Sequence, residues 1–111
     1  MRADIETAWG DLSMSVINIT EVLPDDFSLG RAYPNPFNPT TTLNFTLPIE
    51  VELSITVYNL QGREVSTLID GNMNAGYHSV VWNADSHSSG VYFVKMVAGN
   101  YVNTQKLMLV K

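Results

Sequence analysis

Three prolines fall within six residues in the stretch Tyr33-Pro34-Asn35-Pro36-Phe37-Asn38-Pro39-Thr40-Thr41. Each fixes its own φ and removes an amide donor. Each also biases the residue before it, here Tyr33, Asn35 and Asn38, toward extended geometry. Helix is thereby excluded, and the stretch reads as a stiff, irregular edge strand with few ladder donors. The side chains of Asn35 and Asn38 can bond nearby backbone in place of the lost amides. Phe37 is the one large apolar group between the prolines and is expected to plug an edge of the core.

From Thr42 onward the chain has the two-residue period of half-buried strands. Leu43, Phe45 and Leu47 alternate with Thr42, Asn44 and Thr46 until Pro48 ends the run. In 51–58, Val51, Leu53, Ile55 and Val57 face one way and Glu52, Ser54, Thr56 and Tyr58 the other. A slip of one residue would turn that whole apolar set to water, so the register is well specified. Asn59 to Arg63 is a hairpin loop in which Gly62 supplies a positive φ. The return strand 64–69 is anchored by Val65 and by Leu68 or Ile69. Asp70 to Gly76 reads as a polar loop. A strand at 77–83 turns Val80 and Trp82 inward, and Ala84 to Gly90 is a Ser-rich loop. The strand 91–97 carries Tyr92, Val94 and Met96 on one side. Gly99-Asn100 turns the chain into a last strand, 101–110. With a short entry strand at 28–33, this is about seven strands and no convincing helix. The expected fold is all-β, an antiparallel β-sandwich of the immunoglobulin or fibronectin type without its disulfide. Trp82, Tyr92 and Phe45 are expected in its core.

Charge divides the chain in two. Residues 1–26 hold six acids against one base, whereas 27–111 hold five of each, within a net charge of −5. We therefore place an upstream strand and acidic linker at 1–26 and the β domain at 27–111. Within the leader, Leu12, Met14 and Val16 alternate with Ser13 and Ser15 as a strand would. That strand either ends a preceding domain or adds to the edge of this one. The edges at the proline segment and at 12–19 are also available for pairing between chains, a route to a homodimer. No basic stripe suits nucleic acid. No apolar run approaches the ~20 residues of a membrane helix, and the N-terminus has no apolar signal core. If the native protein is exported, its signal lies upstream of this chain.

The chain has no Cys and two His, so neither a thiolate metal site nor a Cys nucleophile is available, and no cofactor is implied. Asp85-Ser86-His87 places an acid, a hydroxyl and an imidazole side by side. Catalytic triads need such groups brought from separate elements and held by supporting bonds, so a turn is the better reading. Asp70-x-Asn72-x-Asn74 starts like a calcium loop, but Ala75 stands where that motif wants Gly and Val81 where it wants Glu. His78 fits a packed strand residue. No catalytic or metal residues are assigned, and the chain is expected not to be an enzyme.

Several motifs, in order, carry a resemblance. Phe27-Ser28-Leu29 leading into Tyr33-Pro34-Asn35-Pro36-Phe37-Asn38-Pro39 is similar to the opening of the C-terminal sorting domains, type A, of type IX (Por) secretion cargo. Val57 to Val65, with Asn59-Leu60-Gln61-Gly62-Arg63 at its turn, resembles that family's central hairpin. Gly76 to Asn83 resembles its Gly-to-Trp strand, and Ser89-Gly90-Val91-Tyr92 its Ser-Gly-x-Tyr motif. Thr104 to Lys111 resembles its basic, apolar end. The pattern is also similar to the immunoglobulin-like domain of the flagellar hook-capping protein, which supports the fold more than the function.

The resemblance implies a non-catalytic address, carried at the end of a cargo protein of the Bacteroidetes type. Such a cargo reaches the periplasm, is recognised by the outer-membrane type IX machinery and arrives secreted or at the cell surface. There the sorting domain is often cleaved off, in the linker at 20–27, and the cargo is anchored or released. Sorting-motif candidates carried over residue by residue are Pro34, Asn35, Pro36, Phe37, Asn38, Gly62, Gly90, Tyr92, Lys106 and Lys111. Expected partners are that machinery and an upstream cargo domain of the same precursor. A competing reading is an immunoglobulin-like structural or carbohydrate-binding module of a secreted multidomain enzyme. Its mark would be a coplanar exposed platform of Tyr58, Phe93 and Tyr101.

Overall fold

The computed structural model describes residues 23–111, and the strand expected at 12–19 lies outside the described residues. Seven strands run in order: β1 (Ser28–Leu29), β2 (Thr40–Leu47), β3 (Val51–Asn59), β4 (Glu64–Met73), β5 (Gly76–Asn83), β6 (Gly90–Ala98) and β7 (Tyr101–Leu109). They form two antiparallel sheets, one in the order β1-β2-β5 and one in the order β4-β3-β6-β7. The fold is the expected β-sandwich. Its fourth strand pairs with β3, as in fibronectin-type sandwiches, rather than with the β1-β2-β5 sheet as in immunoglobulin constant domains.

The alternation of apolar residues decides which face each strand turns inward. Leu43, Phe45 and Leu47 of β2 are buried, as are Leu53, Ile55 and Val57 of β3. Trp82, Tyr92, Val94 and Met96 join them, and Leu107 and Leu109 close the layer from β7. The core residues anticipated from sequence, Phe45, Trp82 and Tyr92, are all within it.

Two regions depart from the sequence reading. The supposed polar loop from Asp70 to Gly76 is mostly strand, since β4 continues to Met73 and only Asn74 and Ala75 link it to β5. The first residues of β3, which begins at Val51 as expected, offer ladder partners for Asn72, Gly71 and Asp70. Asp70 and Asn72 are exposed strand residues, and the Asn72 amide donates to the Glu50 carboxylate. Gly and Asn here mark a solvated strand edge, not a loop. The choice between Leu68 and Ile69 also resolves in favour of both. Register shifts fall between Ile55 and Thr56 and between Val57 and Tyr58, leaving Leu68 and Val65 as the extra residues of two bulges. Bulges let consecutive residues turn the same way, so Val65, Leu68 and Ile69 all pack against the core.

The entry strand is shorter than the expected 28–33. After Leu29 the chain leaves β2, and Tyr33 rejoins it by a single bridge to Thr42. Gly30 sits at the departure, where a Cβ would lie 3.1 Å from the Asn44 carbonyl oxygen. Its own amide donates to that oxygen at 2.7 Å.

Phe45 is 1% exposed and stacks on His78 at 5.3 Å. Phe45→Ala should cost about 3–5 kcal/mol. Urea denaturation followed by tryptophan fluorescence would register this as a lower midpoint with an unchanged slope.

Candidate recognition pole

The proline segment, in which all three X–Pro bonds are cis, lies along the outer edge of β7. The Phe37 amide donates to the Met108 carbonyl at 2.9 Å, and the Val110 amide donates to the Phe37 carbonyl at 3.0 Å. Asn35 extends the pairing with its side chain. Its Nδ2 donates to the Lys106 carbonyl at 3.0 Å, and its Oδ1 accepts the Met108 amide at 3.0 Å. Further back, Gln105 bridges the gap left by β1. Its Oε1 accepts from the Ala32 amide and its Nε2 donates to the Gly30 carbonyl, at 2.5 and 2.8 Å. The edge expected to be open for pairing between chains is therefore already in use. Addition of a partner strand to the end of β7 meets the same obstacle, because Asn35 and Phe37 occupy that edge from Lys106 to Val110.

Phe37 is 2% exposed and enters an aromatic cluster. Its ring lies 5.5 Å from Trp82, which lies 5.4 Å edge-on from Tyr92. The His87 imidazole packs on both, 5.5 Å from Trp82 and 6.0 Å from Tyr92. The segment Asp85-Ser86-His87 is the turn expected of it. The His87 amide donates to the Ala84 carbonyl, and the Asp85 amide to Asn83 Oδ1. The role of the His87 ring in the cluster has no local sequence signal.

The end of the chain is fastened to the same loop. The Lys111 amide donates to Ser89 Oγ at 3.0 Å, and Lys111 Nζ donates to the Asp85 carbonyl at 2.6 Å. The Tyr92 hydroxyl donates to the Ser88 carbonyl at 2.6 Å. Across from this loop stands the β3–β4 hairpin. Asn59 organises it: its Oδ1 accepts the amides of Gln61 and Arg63. Its carbonyl accepts the amide of Gly62, at φ +82°. A cleft of about 360 Å³ separates hairpin from loop, lined by Leu60, Gln61, Ser88, Ser89, Gly90 and Tyr92 among others. Leu60 is 65% exposed on its rim, a residue the sequence reading did not single out.

These contacts bring Pro34–Asn38, Gly62, Gly90, Tyr92 and Lys111 to one pole of the sandwich. Lys106 lies a few residues below, exposed and paired in register with Phe93. The linker enters at the other pole. There Phe27 stacks on Tyr101 at 5.7 Å, and Thr46 Oγ1 donates to the Asp26 carbonyl at 2.8 Å. Strands of eight or nine residues separate the poles, a span of about 25–30 Å.

The aromatic platform of the competing reading is not assembled. Tyr58 and Phe93 are cross-strand neighbours on the outer face of the four-stranded sheet. Tyr101 packs against the core with Phe27. Among the described residues, no group of His, Asp or Glu is placed to hold a metal ion. No helix among them is long and apolar enough to cross a membrane.

The family model for the secretion system C-terminal sorting domain matches residues 31–111. The chain belongs to this family. The match begins at the proline segment and runs through Lys111, so it covers every element of the pole. Comparison with curated proteins finds no match. As a type IX sorting domain, the chain implies attachment to an upstream cargo domain, contact with the secretion machinery and export to the surface or medium. The family is non-catalytic in general.

Asn35 makes two of the bonds that hold the sorting domain's proline segment to β7. Asn35→Ala should lower stability by about 1–3 kcal/mol, at roughly 0.5–1.5 kcal/mol net per hydrogen bond. Native-state hydrogen exchange should show the Met108 amide losing protection more than the amides of β3.

Proposed function

We propose that this domain is a non-catalytic address, read by the outer-membrane type IX machinery at the pole that carries the proline segment, the Gly62 hairpin, the Gly90-Tyr92 loop and Lys111. The observation that supports this reading is the convergence of the family's motif residues at the end of the sandwich farthest from the linker. The linker itself leaves that pole unobstructed. Several motif residues have structural duties: Phe37 and Tyr92 build the core, and Gly62 forms a turn. What they hold up is a surface of Leu60, Gln61, Ser88 and Ser89 with Lys106 and Lys111 near it, and that surface is what a receptor would touch. After translocation, the linker at 20–27 is the segment available for cleavage, which frees the cargo for anchoring or release.

Removing residues 107–111 is a poor test, because Leu107 and Leu109 are core residues and their loss unfolds the domain. Surface substitutions separate recognition from folding. A fluorescent reporter fused to residues 20–111 behind a signal peptide should reach the surface or medium of a type IX-competent bacterium and stay in the periplasm of a secretion-null strain. Leu60→Asp should reduce the exported fraction roughly tenfold, equivalent to about 1.4 kcal/mol of lost recognition. Ile49→Asp, an exposed residue at the linker pole, should export normally. Equal export of both variants would move recognition away from this pole, and reporter stranded in both strains would remove the sorting role.

A further inference from the structure

The sandwich is closed on one side and incomplete on the other. On the β7 side, Phe37, Leu107 and Leu109 are at most 2% exposed. On the side where β4 and β5 lie, Trp82 is buried at the far end, but the other apolar residues turned to the core are only partly buried: Val65, Leu68, Ile69, Met73 and Val80. β5 is an edge strand of eight residues whose partner among the described residues is β2 alone.

Its free hydrogen-bonding row can be read from the ladder. The Ala84 amide donates to the Pro39 carbonyl, and the register then alternates through Thr41↔Trp82, Leu43↔Val80 and Phe45↔His78. In an antiparallel ladder, residues between those pairs turn their amides and carbonyls the other way. Tyr77, Ser79, Val81 and Asn83 therefore present their backbone groups to the open edge. None of these residues is charged, no proline interrupts the strand, and its register with β2 runs unshifted. Devices that usually protect edges are missing here, whereas β4 is bulged and carries Glu64, Thr67 and Asp70.

We propose that residues 12–19 of this chain add to β5 as an antiparallel edge strand and complete the core. Leu12-Ser13-Met14-Ser15-Val16-Ile17-Asn18-Ile19 matches β5 in length and contains no charge, glycine or proline. Its Leu12, Met14 and Val16 supply the inward row that Val80, Leu68 and Ile69 lack. Chain direction agrees. β5 starts at the linker pole, since Gly76 pairs with Leu47, so an antiparallel neighbour ends there. From that position the chain must return to Asp26, beside Thr46. The distance is two or three strand spacings, roughly 10–15 Å. The seven steps from Ile19 to Asp26 reach about 23 Å. A parallel strand would end at the far pole and exhaust that reach. The inference does not rest on the sorting role; it makes the segment before the linker part of the folded domain and brings Leu12, with the chain before it, beside Asn83 on the open β5 side, across the sandwich from the β7 edge.

The test is amide exchange by NMR on the full 111-residue chain beside Ser15→Pro, which removes a ladder donor from the added strand, since its outward residues are the ones that bond Ser79 and Val81. The amides of Ser79 and Val81 should be protected at least tenfold more in the parent than in the variant. The Val94 amide, in the core, reports that the sandwich remains folded. Protection should not depend on protein concentration, and light scattering should give a monomer. Unprotected Ser79 and Val81 in the parent would overturn the proposal, as would protection that survives Ser15→Pro. Protection that grows with concentration alongside a dimer would overturn it in favour of a second copy on β5.

Discussion

The pairing of Phe37 with the edge of β7 is the contact on which the two ends of the domain depend. Its amide and carbonyl bond Met108 and Val110, and its ring enters the Trp82–Tyr92 cluster. One residue thereby seals the seam between sheets, occupies an edge and fixes the chain end beside the 84–90 loop. Prolines on either side limit the segment to the geometry that does this, and they carry no amides that would need partners. The same residues that protect β7 from unwanted pairing thus position the surface proposed to meet a receptor.

Opposite that seam, the sandwich shows the reverse arrangement. β5 has a flat, uncharged edge, and the core behind it is only partly closed. The two sides of the sandwich therefore differ in how completely their edges are covered. The sealed side fixes the shape of the pole proposed for recognition, and the open side is where the leading segment is proposed to add.

The sequence made most of the sandwich legible because alternation is a local signal. In β2 and β3 the period alone identified the buried rows at Leu43–Leu47 and Leu53–Val57, and Phe37 was recognisable as a plug from its isolation among prolines. The limits of β4 were hidden, because Asp70, Gly71 and Asn72 have loop composition and became strand only by pairing with the first residues of β3. The two bulges that bury Leu68 as well as Ile69 were hidden for the same reason. At the pole, the motif residues were recognisable but their arrangement was not. Lys111 meeting Asp85 and Ser89, or Asn35 meeting Met108, is set by topology across tens of residues. Leu60 carried no signal of its own beyond a place in a hairpin turn.

The central claim is that the sorting machinery meets the pole farthest from the linker. The most direct measurement is photo-crosslinking in a type IX-competent cell, with a photoreactive side chain at Leu60 in one cargo fusion and at Ile49 in another. The account predicts that the Leu60 probe captures an outer-membrane component of the secretion machinery and that the Ile49 probe does not. Capture from Ile49 with none from Leu60 would contradict it.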